Sequence, residues 1–132
     1  MIAFIDTYAL IAWLNPRDTA HAVVRAYLSS YSGRFVTTEW VLMEVADALA
    51  KASSRLIVIE FLQTIRSDSA YEVVGYDSRV YQEGFKLFSS RRDKEWSLTD
   101  CISFAVMMER GLADALTADN HFNQAGYRAV FE

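Results

Sequence analysis

Residues 2–15 read IAFIDTYALIAWLN, and the step from Ile5 to Asp6 decides the fold. Ile2 to Ile5 is a short apolar run closed by a carboxylate, the pattern of a buried strand in a parallel sheet. Thr7 to Leu14 (TYALIAWL) has helical composition, and Asn15-Pro16 stops it. A buried strand that passes straight into a helix is the opening of a βαβ unit, so the remaining chain is read for its repetition.

The alternation continues. A helix is predicted from about Thr19 to Tyr31, with Ala22, Val23, Ala26 and Tyr27 at helical spacing; Ser32-Gly33 turns the chain, and Arg34 to Thr37 is a second short strand. Thr38 has the character of an N-cap for the helix WVLMEVADALAKA, residues 40–52. Ser53-Ser54 breaks that helix, and RLIVIEFLQTIRS, residues 55–67, forms the next. Tyr71 to Val74 is a strand, Ser78 to Ser90 a helix, and Arg91 to Glu95 a charged, solvated loop. Ser97 opens the helix SLTDCISFAVMMERG, which Gly111 ends from the C′ position. Asp114 to Thr117 is a strand, His121 to Gln124 a short helical turn, and Tyr127 to Phe131 a last strand. Strands alternating with helices predict an α/β fold: one domain over residues 1–132 with a central, mostly parallel sheet covered by helices. In such sheets ligands gather beyond the carboxyl ends of the strands.

Composition removes several classes. With 52% hydrophobic and 23% charged residues over 132 positions, the chain buries a core and is not disordered. A net charge of −4 argues against coating nucleic acid by bulk positive charge, but leaves room for an acidic centre that binds a cation. The single cysteine, Cys101, cannot staple the fold, which suits a reducing compartment. The first residues carry no basic segment and reach Asp6 almost at once, so neither a signal peptide nor a membrane span is expected, and the expected location is cytoplasmic.

Four carboxylates then stand out. Asp6 and Asp119 each follow a strand and precede a helix, where an aspartate is a natural N-cap and also lies at the ligand edge of the sheet. Asp100, three residues after Ser97, fits a capping box, and the same helix start faces that edge. In the helix after Thr38 the core stripe is Val41, Leu42, Val45, Ala48 and Leu49; Glu44 lies on its margin, whereas Glu39 is on the solvated side. Glu44 is accordingly either a snorkelling surface residue or a carboxylate aimed along the sheet edge. Converging carboxylates repel one another unless protonated or bridged by a cation. Oxygen donors without a histidine–cysteine cluster select Mg2+ or Mn2+ over zinc. A cation of this kind makes water a better nucleophile and neutralises a phosphate oxygen, which is what phosphodiester hydrolysis requires.

The stretches FIDTYALIAW, RDTAH, VTTEWVLMEVADAL, SLTDCISFAVM and LTADNHFNQAGY, in that order, resemble the PIN-domain ribonucleases, in particular VapC-type toxins of bacterial toxin–antitoxin pairs. The resemblance covers essentially the whole chain. It implies a three-layer α/β/α sandwich and a metal-dependent endoribonuclease whose catalytic carboxylates are Asp6, Glu44, Asp100 and Asp119. Asp6 and Asp100 would be the principal ligands of Mg2+ or Mn2+, with Glu44 and Asp119 completing the set partly through water. Thr7, Thr99 and Thr117 match hydroxyl positions that orient carboxylates. The implied partners are an RNA substrate, a small antitoxin protein and a second copy of the chain in a homodimer, with no membrane.

Tyr8 departs from the pattern, since many relatives carry serine or asparagine there. His21 and His121 are read as packing or capping residues, leaving the attack to water activated by the cation. Arg91, Arg92 and Lys94 precede the Asp100 helix; they are either a solvated loop or contacts to an RNA backbone. Two other magnesium folds fit poorly: a receiver domain lacks its late lysine here, and a haloacid-dehalogenase-type phosphatase needs Asp-x-Asp where this chain has Asp6-Thr7-Tyr8. The remaining alternative is a catalytically silent PIN-like module for protein binding, for which Trp13, Trp40 and Trp96 offer interface material.

Overall fold

The computed structural model describes residues 1–132. Five strands, β1 (Ile2–Ile5), β2 (Arg34–Thr38), β3 (Tyr71–Val74), β4 (Asp114–Leu116) and β5 (Arg128–Ala129), form one sheet in the order β3-β2-β1-β4-β5. Every pairing is parallel, so the sheet is wholly and not merely mostly parallel. Seven α-helices connect the strands: α1 (Thr7–Leu14), α2 (His21–Ser30), α3 (Glu39–Ala48), α4 (Ala52–Thr64), α5 (Ser78–Ser90), α6 (Leu98–Arg110) and α7 (Asn120–Gln124).

The chain steps outward from β1 to β2 and β3, then returns past β1 to β4 and β5. With right-handed crossovers, this reversal puts α1 to α4 on one face and α5 to α7 on the other, giving three layers. The direction changes between β1 and β4, so the switch point lies where Asp6 and Asp119 leave the sheet. Phe4, Ile5, Leu116, Phe104 and Phe122 are fully buried around this strand pair and fix its position. On the second face α5 and α6 touch at Gly84, where a Cβ would stand 2.3 Å from the Ile102 side chain. Gly111 ends α6 at φ 64°, a left-handed cap that glycine adopts without penalty.

The predicted elements are all present, with shifted ends. The second helix begins at His21 and not Thr19, because Asp18 Oδ1 accepts the Ala20 N–H and holds residues 18–20 in a turn. Ser53 and Ser54 do not break a helix; they occupy the first turn of α4, and the true break is Leu49 to Lys51. There the Ser54 hydroxyl donates to the Leu49 carbonyl at 2.9 Å, satisfying the end of α3. Ala48, expected in the core stripe, is exposed. The last strand is only Arg128–Ala129, although the Val130 and Phe131 N–H groups still donate to the Ala115 and Thr117 carbonyls at 3.0 Å.

Candidate active site

A cleft of about 500 Å3 opens over the carboxyl ends of β1 and β4. Asp6, Thr7, Tyr8, Glu44, Glu95, Ser97, Asp100, Ala118, Asp119 and His121 line it. All four predicted carboxylates are thereby brought together. No lysine or arginine is among the lining residues.

Asp6 occupies the N-cap position of α1, yet its carboxylate makes no cap bond. It is 6% exposed and accepts instead from the Thr117 hydroxyl at 3.0 Å, across the β1–β4 gap. Capping therefore does not account for this residue. Burial pushes its carboxyl from 3.8 up to about 7, opposed by the Thr7 backbone and the Thr117 hydroxyl and reinforced by the charges of Asp100 and Glu44. A proton or a cation is needed to hold it there.

Asp100 serves two purposes. It forms the expected capping box, its backbone N–H donating to Ser97 Oγ at 3.0 Å and its Oδ2 accepting from the Ser97 N–H at 3.2 Å. Its side chain nevertheless faces the cleft, and burial raises its carboxyl, with Asp119 pushing the same way and Ser97 and His121 opposing. Asp119 caps α7 by accepting the His121 N–H at 2.9 Å, while its own N–H donates to Thr117 Oγ1 at 3.1 Å. The Thr117 hydroxyl thus ties Asp6 to Asp119. Glu44 reaches the cleft from α3, where its Oε1 accepts a short bond from the Thr7 hydroxyl. Thr7 and Thr117 each donate a hydroxyl to a cleft carboxylate, Thr7 to Glu44 and Thr117 to Asp6. Thr99 does not: its hydroxyl bonds no carboxylate and lies outside the cleft lining, and its carbonyl accepts from Ser103.

His21 holds helices together, its Nδ1 donating to the Ala12 carbonyl at 2.7 Å. His121 is different. Its Nδ1 stands 3.3 Å from Asp100 Oδ2 and 3.5 Å from Asp119 Oδ1, so it is a member of the cleft and not a packing residue. One ligand atom each from Asp100, Asp119 and His121 falls within 4.8 Å of the others, a spacing that can hold a metal ion. The sequence signal was the Asp119-x-His121 spacing at a helix start, which turns both side chains to one side. Glu39, expected to be solvated, is an ion-paired residue with Arg66 at 2.5 Å and a side chain only 15% exposed.

The fold and cleft define a class: a doubly wound parallel α/β protein whose switch point carries a cluster of carboxylates that could hold a metal ion. The model of the PIN domain matches residues 3–126, and the chain belongs to the PIN domain family. The 23S rRNA-specific endonuclease VapC20 of Mycobacterium tuberculosis is 24% identical over 127 residues, covering 96% of this chain and 96% of its own. The crystal structure of Mycobacterium tuberculosis VapC20, described as a sarcin–ricin loop cleaving toxin, matches with a TM-score of 0.89 at 25% identity, over 98% of both chains. FitAcB from Neisseria gonorrhoeae matches with a TM-score of 0.66 at 18% identity, over 98% of this chain and 96% of that one. VapBC2 from Rickettsia felis, solved with a DNA fragment from its promoter, matches at 0.66 and 12% identity, over 95% and 93% of the two chains. The last two share the fold. No helix of this chain is long and apolar enough to cross a membrane.

Proposed function

We propose that this chain, a single PIN domain over residues 1–132, is a Mg2+- or Mn2+-dependent endoribonuclease that hydrolyses RNA phosphodiester bonds in the acidic cleft. The observation that carries the reading is Asp6: a carboxylate buried at the switch point, released from capping, facing Asp100 and Glu44 with no lysine or arginine beside it. Its relative VapC20 is named as a ribosomal RNA endonuclease and toxin, which supports RNA as the substrate and a toxin of a toxin–antitoxin pair as the role. A small antitoxin, a homodimer and a cytoplasmic location belong to the same reading.

The donor set fits a hard divalent cation: carboxylate oxygens with one imidazole nitrogen and no thiolate. When bound, that cation lowers the pKa of its water and offsets charge on the phosphate. Asp6 and Asp100 would be its principal ligands, with Asp119, His121 and Glu44 able to complete the set. Thr117 keeps Asp6 and Asp119 in register, and Thr7 keeps Glu44 turned inward. No side chain is required as nucleophile. The expected products carry a 5′-phosphate and a 3′-hydroxyl, and cleavage stops on adding chelator. End-group analysis of a defined RNA pool tests this: a 2′,3′-cyclic phosphate formed with chelator present overturns the reading.

A further inference from the structure

Residues 91–97, RRDKEWS, form a wall with a different chemistry on each side. Glu95 and Ser97 line the acidic cleft, whereas Lys94 and Trp96 line a second cavity of about 380 Å3. Arg91, Arg92, Phe85, Phe88, Ser89 and Cys101 complete that cavity, which has three cationic side chains and no carboxylate in its lining. In a chain of net charge −4 this is a concentrated positive pocket directly beside the most acidic one.

Its parts are unequally committed. Trp96 is a fixed floor, its Nε1 donating to Gln124 at 3.0 Å and its ring edge-on to Phe104. Arg91 is paired with Asp93 at 3.0 Å and lies over the Trp96 ring. Arg92 and Lys94 have no ion pair. Phe85 and Phe88, on one face of α5, are 44% and 43% exposed, Phe85 with Tyr81 stacked on one side, so two half-open rings stand beside two cations without an ion pair, of which Lys94 also lies over the Trp96 ring. A ligand that matches both is flat, aromatic and anionic. Single-stranded nucleic acid is bound by this combination of stacking rings and backbone cations.

We infer that this cavity takes a nucleotide of the RNA strand that flanks the bond cut in the acidic cleft, its base against Phe85 and Phe88 and its phosphate at Arg92 and Lys94. The inference rests on the ribonuclease reading of the cleft and adds where the strand leaves it. The pocket also resolves an electrostatic conflict, because a cleft walled by carboxylates repels a polyanion that the neighbouring cations attract.

The test is fluorescence anisotropy with a labelled single-stranded RNA and the full chain carrying Asp100→Asn, so that binding is read without cleavage. Adding Arg92→Gln and Lys94→Gln should weaken binding about tenfold or more and flatten the dependence of log affinity on log salt by about 0.7, the slope for one single-strand phosphate. Adding Phe85→Leu and Phe88→Leu should weaken binding about tenfold with the salt slope unchanged. In the otherwise wild-type chain the same changes should raise KM and leave kcat. Affinity and slope unmoved by either pair overturn the inference, as does an acidic peptide that binds through these residues while RNA binding is indifferent to them. A failure of the ribonuclease reading looks different: the wild-type chain with Mg2+ or Mn2+ leaves RNA intact, whatever the binding data show.

Discussion

Outside the cleft, four acids of the helices and strands lie against arginines: Glu39 with Arg66, Glu72 with Arg110, Glu109 with Arg79, and Asp114 with Arg128, at 2.5 to 3.1 Å. Inside it, Asp6, Glu44, Asp100 and Asp119 have hydroxyls, backbone N–H groups and one imidazole, with no lysine or arginine in the lining. The first group is neutralised within the protein. The second is oriented but meets no cationic Lys or Arg side chain, so its mutual repulsion is relieved by protonation or by a cation from outside the chain. That contrast separates acids that are paired within the fold from acids that could hold a cation.

The strongest way to break the contrast is to neutralise a cleft acid. Asp6→Asn and Asp100→Asn keep shape and remove charge, so each should lower kcat/KM for RNA by a factor on the order of 10^3, about 4 kcal/mol of transition-state stabilisation. Far-UV circular dichroism should be unchanged. Full activity of Asp100→Asn would reduce that residue to its capping box.

Stability of the metal-free protein should move in the opposite direction from activity. The Asp6 carboxyl is raised by burial from 3.8 to about 7. Below pH 4 folded and unfolded chains both hold this proton and the group contributes no difference. Between pH 4 and 7 the folded chain keeps a proton that the unfolded chain releases, so stability falls as pH rises; above pH 7 the loss is complete, of order 4 kcal/mol. Asp6→Asn removes the dependence. Its Tm in chelator should exceed that of the wild type at pH 8 and approach it at pH 4. A variant no more stable than the wild type at pH 8 would show that Asp6 is well accommodated as an anion.

Next in size are the hydroxyls that orient the cleft acids. Thr117→Val deletes the bridge between Asp6 and Asp119 and should cut activity about 10- to 100-fold, the usual cost of losing support behind a metal ligand. Thr99→Val, which touches no carboxylate, should change it little. Equal losses at the two positions would mean that the hydroxyls act through packing alone.

The sequence made most of this arrangement visible, for physical reasons that also explain the misses. Buried strands need continuous apolar runs, so IAFI and the step to Asp6 were unmistakable, and the switch point followed from the order of βα units. The start of α4 was misplaced because serine serves equally in a helix's first turn and in a break. Thr99 and His121 were misjudged for a common reason. One turn of helix decides whether a side chain enters a cleft, and Thr99 turns away while His121 turns toward Asp100 and Asp119. Glu39 was misjudged because its neutralising arginine is 27 residues away in sequence.

That distant pair supplies the smallest and most discriminating test. Glu44 and Glu39 sit on the same helix, five positions apart, and differ in what meets them: the Thr7 hydroxyl within the cleft, or Arg66 outside it. Glu44→Gln preserves a hydrogen-bond acceptor for Thr7 but removes a charge that a cation would need, so cleavage should fall severalfold or more while stability holds. Glu39→Gln leaves the cleft untouched and weakens an ion pair whose arginine is 49% exposed. Solvent screening limits that loss to about 1 kcal/mol or less, read as a small drop in denaturation midpoint that shrinks further in high salt, with cleavage unchanged. If Glu39→Gln impairs cleavage as much as Glu44→Gln, then α3 contributes through its rigidity, and the division between ion-paired acids and cleft acids fails on a helix that carries both.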